Sequence, residues 1–122
     1  MDAQTFEQLV AQALDDLPAP LRRQIKNVAI VVEDYADDGI LEMADVEDAM
    51  GLYGFYHGIP LTARTHEYGM VLPDVIYLFR QPILALCANS DEVRQEIRRT
   101  LWHEIAHYFG IDEEQLKGTS VE

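Results

Sequence analysis

"LWHEIAHYFGIDEEQL", residues 101–116, decides how the chain is read. Successive residues of a helix turn by about 100°, so His103 and His107 share one side and Glu104 projects from its flank. Leu101, Trp102, Ile105, Ala106, Tyr108 and Phe109 fill the rest of the circumference with apolar groups. A helix apolar nearly all round is a buried one. His103, Glu104 and His107 are therefore the single polar sector of a buried turn, and buried polar groups need partners. A metal ion is one such partner; two structural histidines are the alternative.

Upstream, residues 91–100 are amphipathic, with Val93 and Ile97 apolar and Arg94, Glu96, Arg98 and Arg99 around them. Ser90 is the expected cap, and Asp91 and Glu92 suit the positive end of the helix dipole. Gly110 is the expected stop, as a left-handed residue just past the last turn. Arg98 and Arg99 are expected to pair with acids on the same helix.

The residue types match a catalytic metal. Imidazoles at i and i+4 can both ligate one Zn²⁺ at about 2.0–2.1 Å. Glu104, to one side, can accept a proton from water activated by the metal during attack on a carbonyl. A turn at Gly110 lets a third ligand arrive from just beyond the helix. Imidazole with at most one carboxylate favours zinc, with iron, nickel and manganese left open.

The remainder of the chain sets the frame. Its 122 residues fit one domain, 1–122, with 48% hydrophobic and 25% charged residues, a globular composition. Nine Lys and Arg against 22 Asp and Glu give a formal charge of −13, which argues against nucleic acid and anionic membranes as partners. No apolar run approaches the roughly 20 residues of a membrane span. The acidic start "MDAQTFEQLV" has no signal-peptide pattern, so a cytoplasmic protein is expected. The one cysteine, Cys87, rules out an intrachain disulfide and reads as a small buried apolar residue.

A helix is expected over 6–17, capped by Thr5 with Gln8 completing a capping box, and stopped by Pro18 and Pro20. "NVAIVVED", 27–34, reads as a strand buried on both faces. Eight acids then fall between Glu33 and Asp48. Against a calcium-binding EF-hand loop this stretch is a near miss, with Ala36 at a ligand position and Asp45 at the bidentate glutamate's place, so a solvated acidic loop is expected. "GLYGFYHGIPLTAR", 51–64, reads as a strand with a turn at 58–60. A short strand is expected before Pro73 and a firmer one over 75–79, the latter a candidate to hold an extended peptide by main-chain pairing. A short helix is expected after Pro82. His57 and His66 read as solvent-facing, and Tyr77 and Tyr108 as core aromatics or oxyanion donors. The order of elements gives an α+β fold.

From His103 to Glu113 the chain reads HExxHxxGxxE. This is similar to the HExxHxxGxxH and HExxHxxGxxD patterns of metzincin-type zinc peptidases. With "LYGFYHGIPLTAR", "LPDVIYLFRQPI" and "VRQEIRRTLWHEIAHYFGIDEEQL", the chain resembles a family of small bacterial zincin-like metallopeptidases with a minimal zincin fold. Met1, Met43, Met50 and Met70 all precede the helix, whereas metzincins carry a methionine turn after the third ligand. The resemblance implies a small mixed sheet packed against helices, with the HExxH helix C-terminal. It implies zinc held by His103 and His107, Glu104 as general base, and a third ligand at Glu113, with Asp112 beside it. It further implies a zinc metallopeptidase acting on peptide or protein. A metal-binding interaction module without proteolysis, or hydrolysis of a non-peptide amide, are the other functions open at this point; the oligomeric state is not legible.

Overall fold

Strand β3 (Asp74–Phe79) lies at the centre of a three-stranded mixed sheet, between β1 (Val28–Glu33) and β2 (Gly54–His57). It runs parallel to β1, pairing Val28 with Asp74 through Glu33 with Phe79, and antiparallel to β2, pairing Gly54 with Leu78 and Tyr56 with Ile76. The computed structural model describes residues 1–58 and 74–111. The α+β fold is the expected one, and its mixed sheet is the kind the resemblance implies.

Alternation along β3 gives each face its own core. Ile76 and Leu78 join Phe6, Leu9, Val10 and Ala13 of α1 (Ala3–Asp15) and Val93, Ile97, Leu101 and Ile105 of α5 (Ser90–Tyr108). Ile83 of α4 (Arg80–Leu86) closes that cluster. On the opposite face Phe79, half-buried Tyr77 and Phe55 pack with Ala36 and with Ile40 of α3 (Asp38–Ala44). Among the described residues strand β1 is an edge strand, half-buried along 28–32 with Glu33 exposed, and not the doubly buried strand that its β-branched run predicts. Composition alone does not distinguish an edge from a centre when one face is covered.

The start of the chain differs from expectation in its caps. Asp2, not Thr5, caps α1: its Oδ1 accepts from the Thr5 backbone N–H at 2.8 Å, which places Thr5 inside the first turn. That bond, with lesser help from neighbouring positive charge, holds the Asp2 carboxyl below its ordinary value. Pro18 and Pro20 end α1 and also begin a second helix, α2 (Ala19–Gln24), because prolines cost nothing where first-turn N–H groups have no intrahelical partner.

The acidic stretch is not all loop. Asp37 accepts from the Ile40 N–H at 2.8 Å and starts α3, so Asp38, Gly39 and Leu41 lie on a helix and form no calcium loop. Asp48 similarly caps a 3-10 turn (Ala49–Gly51). Helix α4 begins two residues before Pro82, which sits in its first turn. Arg80 ties three segments together, donating to Asp34 Oδ1 at 2.9 Å and to the Met1 carbonyl at 2.7 Å.

The turn expected at 58–60 and the strand expected before Pro73 lie mainly outside the described residues, as does His66. His57 is exposed, as expected. Cys87 is half-buried against the main core, and burial, more than Glu96 and Glu92 nearby, raises its thiol pKa. No helix among the described residues is long and apolar enough to cross a membrane.

Candidate metal centre

Helix α5 is fixed at both ends before its site residues are considered. Its cap is Asn89, whose Oδ1 accepts from the Glu92 N–H at 2.9 Å, while Glu92 Oε1 accepts from Ala88 N–H at 3.0 Å. Ser90 is thus the first helical residue and not the cap. At the other end Gly110 adopts φ 87°, the left-handed region where a Cβ is disfavoured. Its N–H reaches the His107 carbonyl at 2.9 Å and Ile111 N–H reaches Ala106 at 3.0 Å. This pair of bonds is the Schellman closure expected at glycine.

Between these ends the helix is clamped laterally. Trp102 Nε1 donates to the Ala13 carbonyl of α1 at 3.1 Å, and the Arg98 guanidinium stands 4.3 Å over its ring. Arg98 is thus a cation–π partner and forms no ion pair with an acid among the described residues, whereas Arg99 pairs with Glu96 at 3.2 Å as expected. Tyr108 is 1% exposed, and its hydroxyl bonds the Lys26 backbone, accepting from N–H at 3.3 Å and donating to the carbonyl at 3.2 Å. That hydroxyl ties the helix to the segment before β1 and is not an oxyanion donor. Tyr77 stacks on Phe79 on the sheet face away from α5, so it does not serve that role either.

The histidines meet as the i, i+4 spacing predicts. Their Nε2 atoms stand 3.2 Å apart, with ring centroids 4.9 Å apart, and both rings are half-buried. Two nitrogens bound at about 2.05 Å to a tetrahedral ion would lie roughly 3.3 Å apart. The observed separation fits one zinc shared between them. The negative end of the α5 dipole and the −13 formal charge both favour a cation there.

Glu104 is the most buried of the three, 8% exposed, on the flank of α5 that faces β2. Beyond it, Tyr56 of β2 donates to Asp74 Oδ2 of β3 at 2.6 Å, and Asp74 is 2% exposed. The Tyr56 ring meets Tyr108 edge-on at 6.2 Å. Neither Tyr56 nor Asp74 stands out from the sequence alone, because the contact joins two strands whose register is set only by pairing. The only signal is the alternation Gly54, Tyr56, Gly58, which leaves one large side chain on that face of β2.

His103 and His107 are therefore brought together, with Glu104 on the flank of the same turn that faces β2. Glu113 and Asp112, the expected third-ligand positions, lie outside the described residues, and among the described residues no group of three or more His, Cys, Asp or Glu is gathered around a metal position. Strand β3 is paired on both edges, so it is not free to hold a peptide as residues 75–79 were expected to do. A groove of about 290 Å³ between α1 and β1 is lined by Glu7, Val10, Ala11, Leu14, Ile30 and Val32, none of which belongs to the histidine site.

A family profile described as zincin-like metallopeptidase matches residues 25–120, from just before β1 to beyond α5. The chain belongs to the zincin-like metallopeptidase family. The match includes every residue of the histidine site and both candidate third-ligand positions. It leaves out α1, which in this zincin-like chain supplies Phe6, Leu9, Val10 and Ala13 to the core and the carbonyl that Trp102 grips. No curated protein matches the chain.

Proposed function

We propose that this zincin-like protein is a zinc-dependent peptidase in which His103 and His107 hold the metal, Glu113 completes the protein ligands and Glu104 is the general base. The observation that carries it is the 3.2 Å approach of the Nε2 atoms of two half-buried histidines, one residue before Glu104 and three residues after it. Zinc, when bound, supplies the Lewis acidity that makes water nucleophilic near neutral pH and polarises a carbonyl.

The chain's own residues supply the rest. His103 and His107 must be neutral to ligate, each offering the Nε2 lone pair. Glu104, on the flank and not on the histidine axis, accepts the proton of the attacking water and returns it to the leaving amine. Packing of the Glu104 stem against β2 limits its rotamers. Glu113 is preferred to Asp112 because it stands three residues past Gly110. The substrate is a peptide or protein; the acidic surface disfavours nucleic acid and anionic membrane, and the protein acts in the cytoplasm.

The test pairs metal analysis with proteolysis of a diverse peptide library. One zinc per chain, uptake abolished in His103→Ala, and cleavage lost in Glu104→Gln with zinc retained are the expected results. One zinc with no cleavage by the unaltered protein would leave a metal-binding module. No uptake on titration would refute both.

A further inference from the structure

We propose that Gly54 is a positioning residue: by lacking a side chain it lets β2 press against α5 and thereby sets where Glu104 stands relative to the histidine pair. The inference rests on Glu104 being the general base. A Cβ built on Gly54 would lie 2.7 Å from Thr100 Cγ2, 3.1 Å from the Tyr77 carbonyl oxygen and 3.3 Å from Glu104 Cγ. The first distance is below any carbon–carbon contact, and the second neighbour is backbone of the central strand.

The two nearest neighbours do not yield easily. Thr100 is 7% exposed and β-branched, which leaves few rotamers on a helix. Tyr77 lies in β3, which is paired on both sides. Relief therefore comes from parting the 100–104 turn of α5 and β2, which pairs only with β3 among the described residues. Leu101 and Ile97 seat that turn in the core with Ile76 and Leu78, and the Trp102 bond ties it to α1, so the displacement concentrates on the flank that carries Glu104.

The histidines respond differently. Their separation is set within one helix by the i, i+4 repeat. A small shift of α5 off β2 carries both together and preserves their 3.2 Å approach. Glu104 is the group whose stem touches the strand, and misplacing a catalytic group by about 1 Å costs on the order of 100-fold in rate. Position 54 thus separates metal binding from proton transfer.

The experiment compares the zinc-loaded protein with Gly54→Ala and Gly54→Ala/Thr100→Ser, in which loss of Cγ2 removes the 2.7 Å contact and leaves the 3.3 Å one. Zinc stoichiometry and affinity are read by chelator competition, kcat and KM per bound zinc on a library peptide, and the Glu104 position from crystal structures. Gly54→Ala is expected to bind one zinc with affinity within a few-fold of the unaltered protein. Its kcat falls by roughly 10- to 100-fold at little-changed KM. The double variant recovers part of that loss, and Glu104 Cγ moves relative to the histidines. Unchanged kcat, or zinc affinity and kcat falling in parallel, overturns the proposal. If Gly54→Ala does not fold, the double variant carries the test alone, with reduced kcat and intact zinc binding expected. If the unaltered protein cleaves nothing, the peptidase function fails, and Gly54 is judged on the crystal structures: an unmoved Glu104 refutes it.

Discussion

Replacing Tyr56 by Phe deletes one oxygen and leaves the ring against Tyr108, so it tests the hydroxyl that bonds Asp74. That bond is 2.6 Å long and its acceptor is 2% exposed. Hydrogen bonds to charged groups contribute about 1.5–3 kcal/mol, and here deletion also leaves part of a carboxylate's capacity facing a phenyl edge. Other contacts of Asp74 moderate the loss, so about 1.5–3 kcal/mol is the expected destabilisation. For a chain of this length that lowers Tm by about 5–15 °C. Metal-free protein should be used, because ligand binding to the native state masks intrinsic stability. Urea unfolding gives the free energy, with an unchanged m-value showing that the unfolded state is unaffected. Tyr77→Phe, on the other sheet face, is the control and should cost under about 0.5 kcal/mol. A Tyr56→Phe loss no larger than that control would show that the Tyr56–Asp74 bond does not stabilise the junction of β2, β3 and α5.

The remaining predictions concern α5 and its surroundings. Ile97→Ala removes a side chain with 0% exposure from the α1–α5 contact and should cost about 2–5 kcal/mol, read as a lower urea midpoint. Gly110→Ala forces a Cβ into the left-handed region at φ 87° and should cost about 1–2 kcal/mol by thermal melting; a neutral result would mean that the Schellman closure is not holding the helix end. Cys87 has its pKa raised by burial above the ordinary 9.0, so the stability from its protonated thiol is present below the unfolded pKa and is lost as pH rises through the folded one. Alkylation of the folded protein should accordingly show a pH midpoint above that of the urea-unfolded chain, and an equal or lower midpoint contradicts it.

Much of α5 is legible by sequence because its information is local. The 100° turn places His103 and His107 together, the surrounding apolar residues bury the turn, and Gly110 marks the stop. The caps are less so. Asp2 and Asn89 act one residue or more before the Thr5 and Ser90 that pattern selects, because several polar residues in a row can each supply an oxygen and backbone geometry chooses among them. Helix α3 is hidden for a related reason: its seven residues bury only Ile40, too little for a periodic signal, and its formation depends on Ile40 finding Ala36 and Phe79 across the sheet.

Sequence by itself determines the α+β class, which follows from the order of elements, and the zincin-like motif and shared face of the two histidines, which follow from spacing along one segment. Tertiary structure alone decides that β3 is central and β1 an edge, that Tyr108 is tied to Lys26, and that Gly54 admits Glu104 against the sheet. Those facts depend on which distant segments come within a few ångströms, and no local periodicity encodes strand order or the approach of a helix to a strand.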